Sequence, residues 1–440
     1  MLKRILTAKL KLILTPAQKA ELDCTTLAYR NGLNFASAVA FEQGMLTNQA
    51  RLHELVYADV REKFKLPSQM ACSVTRAVTA KYKSFWTKLK KYQTQKTAGR
   101  KGHRYKGMDK AAKFISRTLT YVYGRDMTFK QDQQVSIKTL SGRIVAPYEG
   151  YTKHLQWIKK GMRVGNSKLY YQKSKKQYYL LVSMEVEIQQ EKYTQAVGVD
   201  VGQRYHLTAC SDSGQSLFVS GRRARQRKDH YARRRRELQQ KGTRSAKQRL
   251  ITLSGRERRF IADTNHKTSC QLLRRFSTSI IGVEDLTNIR QRNERRSSTK
   301  ASTKRKRANR RVSQWSFAEL QYFIAYKAPL HGSQVVKVDA DYTSQQCPMC
   351  GHATKANRKN AGLLFECKKC DHKLHADLVG ARNVCMRTLS VWQDQTDTGR
   401  LSFAPNVSNV ETKTERLQKY SELRWGSDTS PGCTLSAEGH

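Results

Sequence analysis

"YTSQQCPMCGHATKANRKNAGLLFECKKCDHKLHADLVGARNV", Tyr342 to Val384, is the stretch on which the reading of this chain turns. It holds two Cys-x-x-Cys pairs and, directly after them, a lone acid, Asp377, in an apolar run. Cys347, Cys350, Cys367 and Cys370 follow the spacing C-x2-C-x16-C-x2-C. A two-residue gap lets both thiolates of one knuckle reach one tetrahedral ion, and a second knuckle closes the shell. The spacing therefore predicts zinc; ordinary reduced thiols have no reason to fall this way. Four thiolates leave no open position, so the ion is structural and not catalytic. His352, His372 and His375 lie close by as alternates. A four-cysteine shell needs none of them, and they are read as surface residues.

Two other acids stand in similar places. "AVGVDVG" reads as a buried strand that ends at Asp200, and "SIIGVEDL" as another that ends at Glu284. Taken singly, an acid at a strand end is usually a cap, a turn residue or a salt-bridge partner. Together they say more, because open α/β sheets put their sites at the C-terminal ends of apolar strands. Asp377 opens a helix whose Leu378, Ala381 and Cys385 share one face. Three acids brought together are costly unless they hold metal, and hard oxygen ligands suit Mg2+ or Mn2+. Two such ions about 4 Å apart would activate water and stabilise the leaving oxygen of a phosphodiester, with no covalent nucleophile. Asp212, Asp285, Asp339 and Asp341 compete for the same role. Asp285 follows Glu284 directly and should face the other side of its strand; Asp212 lies in a "DSG" turn.

The bulk numbers point to a polyanionic partner. The chain has 440 residues, enough for two or three domains, and a net charge of +48. Charge of that size repels itself and is answered by nucleic acid more readily than by an anionic membrane. Arg222–Arg259 alone carries 16 Arg and Lys against 3 acids, a density that fits phosphate backbones and A-form duplexes. The opening "MLKRILTAKLKLIL" is basic and apolar, but Lys9 and Lys11 interrupt any signal-like core. No run approaches the roughly 20 apolar residues of a membrane span. The expectation is a cytoplasmic protein, nucleoid-associated when bound to DNA. The six cysteines outside the knuckles are scattered, which argues against a disulfide scaffold.

Along the rest of the chain, Lys9–Leu14 alternates like a strand. "TPAQ" then starts a helix: Thr15 as N-cap, Pro16 at the first position and Gln18 closing a capping box. "LPSQ" at Leu66–Gln69 opens a second helix with Val74, Val78, Tyr82 and Phe85 on one face. Thr97–Gly107 reads as a loop. "LYYQKSKKQYYLLVSMEVE" reads as a hairpin turned at Lys173–Lys176. The basic, Ser/Thr-rich stretch "IRQRNERRSSTKASTKRKRANRR" reads as a linker, and residues beyond Leu389 as a polar, disordered tail.

These residues, in this order, resemble the TnpB family of transposon-encoded RNA-guided DNA endonucleases, relatives of type V CRISPR effectors. The resemblance rests on "GVDVG", "IIGVEDL", "TNHKTSCQLL", Trp315, "YKA", "YTSQQCPMCG" and "FECKKCDHKLHADLVGARN", and covers about residues 195–388. "LTPAQ", "RNGLNFA" and "LPSQ" resemble the family's opening segments more weakly. Where many relatives have an "RDxNAA" core, this chain has Ala376 and Val379 at altered positions, but it keeps the acid.

The resemblance implies an α/β fold. It has an RNase H-like (RuvC) nuclease domain at 191–342 and 375–389, with a zinc ribbon inserted at 343–374. A β-barrel wedge domain at 1–14 and 115–190 precedes it and carries a helical recognition domain at 15–114; the tail is 390–440. It places the Mg2+ or Mn2+ ligands on Asp200, Glu284 and Asp377, with the ribbon as a staple that presents Asp377. It implies a noncoding guide RNA and target double-stranded DNA, cut beside a short adjacent motif by one site in a complex holding a monomer. Two further readings remain: a nuclease-inactive RNA-guided DNA-binding repressor, and a DNA-only transposase or recombinase. A plain zinc-ribbon nucleic-acid binder would leave the two acid-tipped strands unexplained.

Overall fold

The computed structural model describes residues 2–97, 109–161, 164–188, 192–287, 302, 309, 315–398 and 413–425. The loop read at Thr97–Gly107, Thr97 itself excepted, and nearly all of the basic linker lie outside the described residues. The chain divides into two compact units, Met1–Glu187 and Ile188–His440.

The first unit opens with β1 (Leu2–Leu12), followed by helices α1 (Pro16–Glu42), α2 (Gln49–Phe64) and α3 (Ser68–Thr97). The capping box forms as read. The Gln18 N–H donates to the Thr15 hydroxyl at 3.2 Å, and the Thr15 N–H donates to the Gln18 side chain at 3.1 Å. Helix α2 was not singled out from the sequence, although Leu52, Val56 and Val60 bury one face of it and Asn48 caps it. Then come β2 (Thr118–Tyr121), β3 (Met127–Lys130), β4 (Gln134–Lys138), β5 (Arg143–Glu149), a short helix α4 (Thr152–Lys159), β6 (Val164–Gln172) and β7 (Gln177–Ile188). They form a seven-stranded sheet in the order β2-β6-β7-β1-β5-β4-β3. The β6–β7 hairpin closes with Gln172 opposite Gln177 and a left-handed Lys176, at the predicted turn. Asp23 on α1 ties the helices to this sheet by accepting from Lys19 at 2.8 Å, Arg117 at 2.6 Å and Tyr178 at 2.7 Å.

The second unit is built on five strands: β8 (Gln195–Asp200), β9 (Tyr205–Ser211), β10 (Ser216–Ser220), β11 (Ser279–Glu284) and β12 (Gln334–Val338). Their order is β10-β9-β8-β11-β12. β8, β9 and β10 pair antiparallel, whereas β8, β11 and β12 pair parallel. Two basic helices, α5 (Arg222–Lys241) and α6 (Arg244–Arg275), join β10 to β11 and are separated by a left-handed Gly242. Helix α7 (Phe317–Lys327) precedes β12. The alternation along the strands splits the core. Val197, Val199, Ile281 and Val283 face Leu272, Phe276, Leu320 and Ile324 of α6 and α7. Ala196 and Cys210 face Ala381 and Cys385 of α8 (Ala376–Thr398) on the other side. α8 lies close on the sheet because two strand residues have no side chain. A Cβ at Gly198 would fall on the backbone of Ala381 and Cys385, and one at Gly282 on the Thr388 side chain.

Between β12 and α8 stands a small three-stranded sheet, β13 (Arg358–Lys359), β14 (Leu364–Glu366) and β15 (Lys373–His375). The tail differs from its expectation. α8 continues to Thr398, and helix α9 (Lys413–Ser421) leads to a buried Trp425. A polar composition hid two aromatic anchors, Tyr420 and Trp425, which supply the contacts that order this segment; residues 399–412 and 426–440 lie outside the described residues. The described cysteines are all free thiols.

Candidate metal centres

The four knuckle cysteines converge. Their Sγ atoms all lie within 4.8 Å of one another, and among the described residues they are the one such group of His, Cys, Asp or Glu ligand atoms. Cys347 and Cys370 are 3.6 Å apart, Cys350 and Cys367 3.4 Å. Thiolates bound at about 2.3 Å to one tetrahedral zinc stand about 3.8 Å apart, so the donor set fits that ion. Burial pushes the Cys347 thiol up. Burial also works on Cys367, yet the Lys369 and Cys370 backbone N–H groups and neighbouring thiols hold it below its usual value. Asn357, fully buried, links the knuckles: its amide donates to the carbonyls of Gln345 and His352, and its oxygen accepts from the Lys368 N–H.

The histidines depart from their surface reading. His352 is exposed, but His372 is half-buried. The His375 ring packs against Tyr205 and Phe218 at 5.2 and 5.4 Å, and its Nδ1 accepts the Asp377 N–H at 3.3 Å. It thereby caps α8, which begins at Ala376.

The parallel pairing of β8 and β11 sets Val199 beside Val283, so Asp200 and Glu284 leave their strands at the same level. Asp377, in the first turn of α8, is near enough for its charge to act on Asp200. Burial pushes Asp200 well above the usual carboxylate range, and the nearby charges of Glu284 and Asp377 push it further. Burial raises Glu284 too, opposed by a hydrogen bond from the Thr343 hydroxyl and by Arg387 and Arg358. The three carboxylates form a looser group than the thiolates. Hard oxygen donors that repel one another in a partly closed site fit a hard divalent cation.

Two of the competing acids, Asp285 and Asp212, are occupied elsewhere. Asp285 accepts from the Thr287 N–H and pairs with Lys337 at 3.6 Å. Asp212 accepts the Ala196 N–H at 2.9 Å. Asp339 stands nearer: it accepts the Asp341 N–H at 3.0 Å, and its charge raises Glu284.

One residue went unremarked in the sequence. Arg358, from β13 between the two knuckles, sends Nη2 to 4.0 Å from Asp377 Oδ1 and lowers both Asp200 and Glu284 by its charge. Nothing in its local sequence, "KANRKN", separates it from the other cations around it.

Residues 179–289 match the family model OrfB_IS605 ("Probable transposase"), and residues 317–384 match the Cas12f1-like TNB domain. The resemblance to TnpB proteins holds. A TnpB-like protein of Methanocaldococcus jannaschii is 34% identical over 141 residues, 31% of this chain and 46% of that protein. The CRISPR-associated endodeoxyribonuclease Cas12f1 of Sulfoacidibacillus thermotolerans is 33% identical over 135 residues, 31% of this chain and 26% of that protein. The chain thus spans less than half the length of these curated relatives. A Cas12f1–sgRNA–target DNA complex is similar in fold, with a TM-score of 0.52 at 15% identity over 84% of this chain and 83% of that one.

In the first unit, a groove between α1, α3, β2 and β6 is lined by Arg76, Lys81, Lys113 and Lys168 among hydroxyl side chains such as Ser73 and Thr118. Among the described residues, no helix is long and apolar enough to cross a membrane.

Proposed function

We propose that this chain is an RNA-guided DNA endonuclease of the TnpB type, cutting target double-stranded DNA beside a short adjacent motif under the direction of a noncoding transposon RNA. The observation that carries this reading is that Asp200, at a strand end, feels the charges of Glu284, at the neighbouring strand end, and Asp377, at a helix start. The strand order of the second unit supports an RNase H-like, RuvC-type domain, and the curated relatives' names support DNA as substrate.

In this reading the three carboxylates hold Mg2+ or Mn2+, which would activate water and stabilise the leaving oxygen of a phosphodiester. Thr343 keeps the Glu284 carboxylate turned toward the site. Arg358 offsets the acids' charge and stands ready to meet the phosphate oxygens of a strand lying across them. The four cysteines hold a structural zinc, and the ribbon it closes carries Arg358 on one edge and runs through β15 into Asp377. Helices α5 and α6 and the groove in the first unit supply cations for phosphate backbones. Sequence choice belongs to base pairing with the guide.

The test is to express the gene with its native flanking DNA and sequence the RNA that copurifies. The reading expects one discrete RNA from the gene's own flank, with a replaceable end that redirects cutting. Cutting of DNA without RNA, or strand transfer, would favour a transposase instead.

A further inference from the structure

Behind Glu284 a line of buried polar groups runs to the C-terminal segment. The Thr343 hydroxyl donates to Glu284 Oε1. The Asn383 amide donates to the Thr343 carbonyl at 2.7 Å and to the Gln346 carbonyl at 2.8 Å. Arg387 donates from Nη2 to Gln346 Oε1 at 3.1 Å and from Nη1 to the Asp339 carbonyl at 2.7 Å. Gln346 in turn donates from Nε2 to the Tyr420 carbonyl. The Arg387 guanidinium lies over the Tyr420 ring, 3.9 Å from its centroid. Thr343, Gln346, Asn383 and Arg387 are each at most 2% exposed. Trp425 holds the far end: it is 2% exposed and its backbone N–H donates to the Pro348 carbonyl at 2.8 Å.

Burying a guanidinium and three neutral polar side chains costs free energy that apolar packing would not. What the cost secures is position, because the first member of the line fixes a catalytic acid. We propose that Thr343, Asn383, Gln346 and Arg387 form a brace that sets the Glu284 carboxylate for metal, and that Tyr420 closes this brace from the C-terminal segment. These are positioning residues, and residues 413–425 become part of the support of the metal site. The inference rests on the reading of Glu284 as a metal ligand.

A brace and a mere glue between ribbon and helix predict different things for small changes. Thr343→Val keeps the shape and removes one hydroxyl; Thr343→Ser keeps the hydroxyl. Tyr420→Phe keeps the ring over Arg387, and Tyr420→Ala removes it.

The probe is Mn2+ alone, titrated by electron paramagnetic resonance into the full zinc-loaded complex. The difference between wild type and Glu284→Ala isolates the acid site from Mn2+ held by RNA. Thr343→Val should weaken Mn2+ at this site by about 10-fold or more, as loss of an outer partner of a metal ligand does. Thr343→Ser should stay within about twofold. Tyr420→Ala should weaken it roughly threefold, and Tyr420→Phe should restore it. Melting temperatures close to wild type would separate these losses from unfolding. Wild-type Mn2+ binding in both Thr343→Val and Tyr420→Ala, alongside its loss in Glu284→Ala, would overturn the brace. Undiminished binding in Glu284→Ala would instead overturn the metal site itself, and the brace with it.

Discussion

Arg358 and Asp377 meet across the zinc ribbon, Nη2 to Oδ1 at 4.0 Å, although the second cysteine pair lies between them in sequence. The distance is a charge contact and not a hydrogen bond. The same Nη2 donates to the Gly362 carbonyl at 3.1 Å, which holds the guanidinium beside the acids, where a phosphate would meet it. Arg358→Ala should therefore slow DNA cutting by about 10²-fold while leaving RNA and target binding near wild type. Single-turnover cleavage and filter binding on the same preparation would check both halves. Equal loss of binding would move Arg358 from the reacting phosphate to a general backbone contact.

The zinc site should be structural. Cys367→Ser should lower the yield and melting temperature and drop bound zinc from one ion per chain toward none, since binding energy at such sites is folding energy. Cutting should fall with it, because β15 carries the chain from the second knuckle into Asp377. Metal analysis and thermal melts measure this directly. A well-folded, zinc-free and active Cys367→Ser protein would contradict the staple role.

Asp200 and Glu284 both have raised values in the fold, chiefly through burial. A carboxyl raised on folding keeps a proton that the unfolded chain has lost. Their contribution to stability without Mg2+ should therefore fall as pH rises from about 4, opposite in sign to that of Asp23, whose carboxyl is lowered. Mg2+ should reverse the fall and release protons as it binds. Asp200→Asn should flatten the slope. Melting curves of wild type and Asp200→Asn across this pH range, with zinc kept in place, decide the matter; a slope unchanged by the substitution would mean the acids are not buried together.

Two glycines should respond to alanine with opposite signs. Gly198→Ala puts a methyl on the backbone of Ala381 and Cys385, which cannot move without lifting α8 from the sheet. The cost should be about 1–3 kcal/mol or more. Gly255 in α6 has the far end of Arg259 as its nearest neighbour, so Gly255→Ala should stabilise by about 0.5–1 kcal/mol. Urea melts of the two variants test the pair.

Much of this was legible in the sequence because the deciding signals are local. The capping box at Thr15 and Gln18 lies within one helical turn, and each cysteine knuckle within four residues. Asp200 and Glu284 could be picked out because a carboxylate ends an apolar run in each case. The parts that stayed hidden depend on contacts between distant segments. Arg358 is one cation among many until the ribbon folds it back on Asp377. His375 looked like a surface residue until Tyr205 and Phe218 enclosed it. The tail reads as disordered by composition, but order there depends on two rings, Tyr420 and Trp425, finding Arg387 and Arg382.

The most direct measurement is single-turnover cutting of a guide-matched duplex by the copurified RNA complex, comparing wild type with Asp200→Ala, Glu284→Ala and Asp377→Ala in Mg2+. The prediction is that each substitution abolishes cutting of both strands while target binding persists. Normal cutting by any one of the three variants would contradict the three-acid metal site.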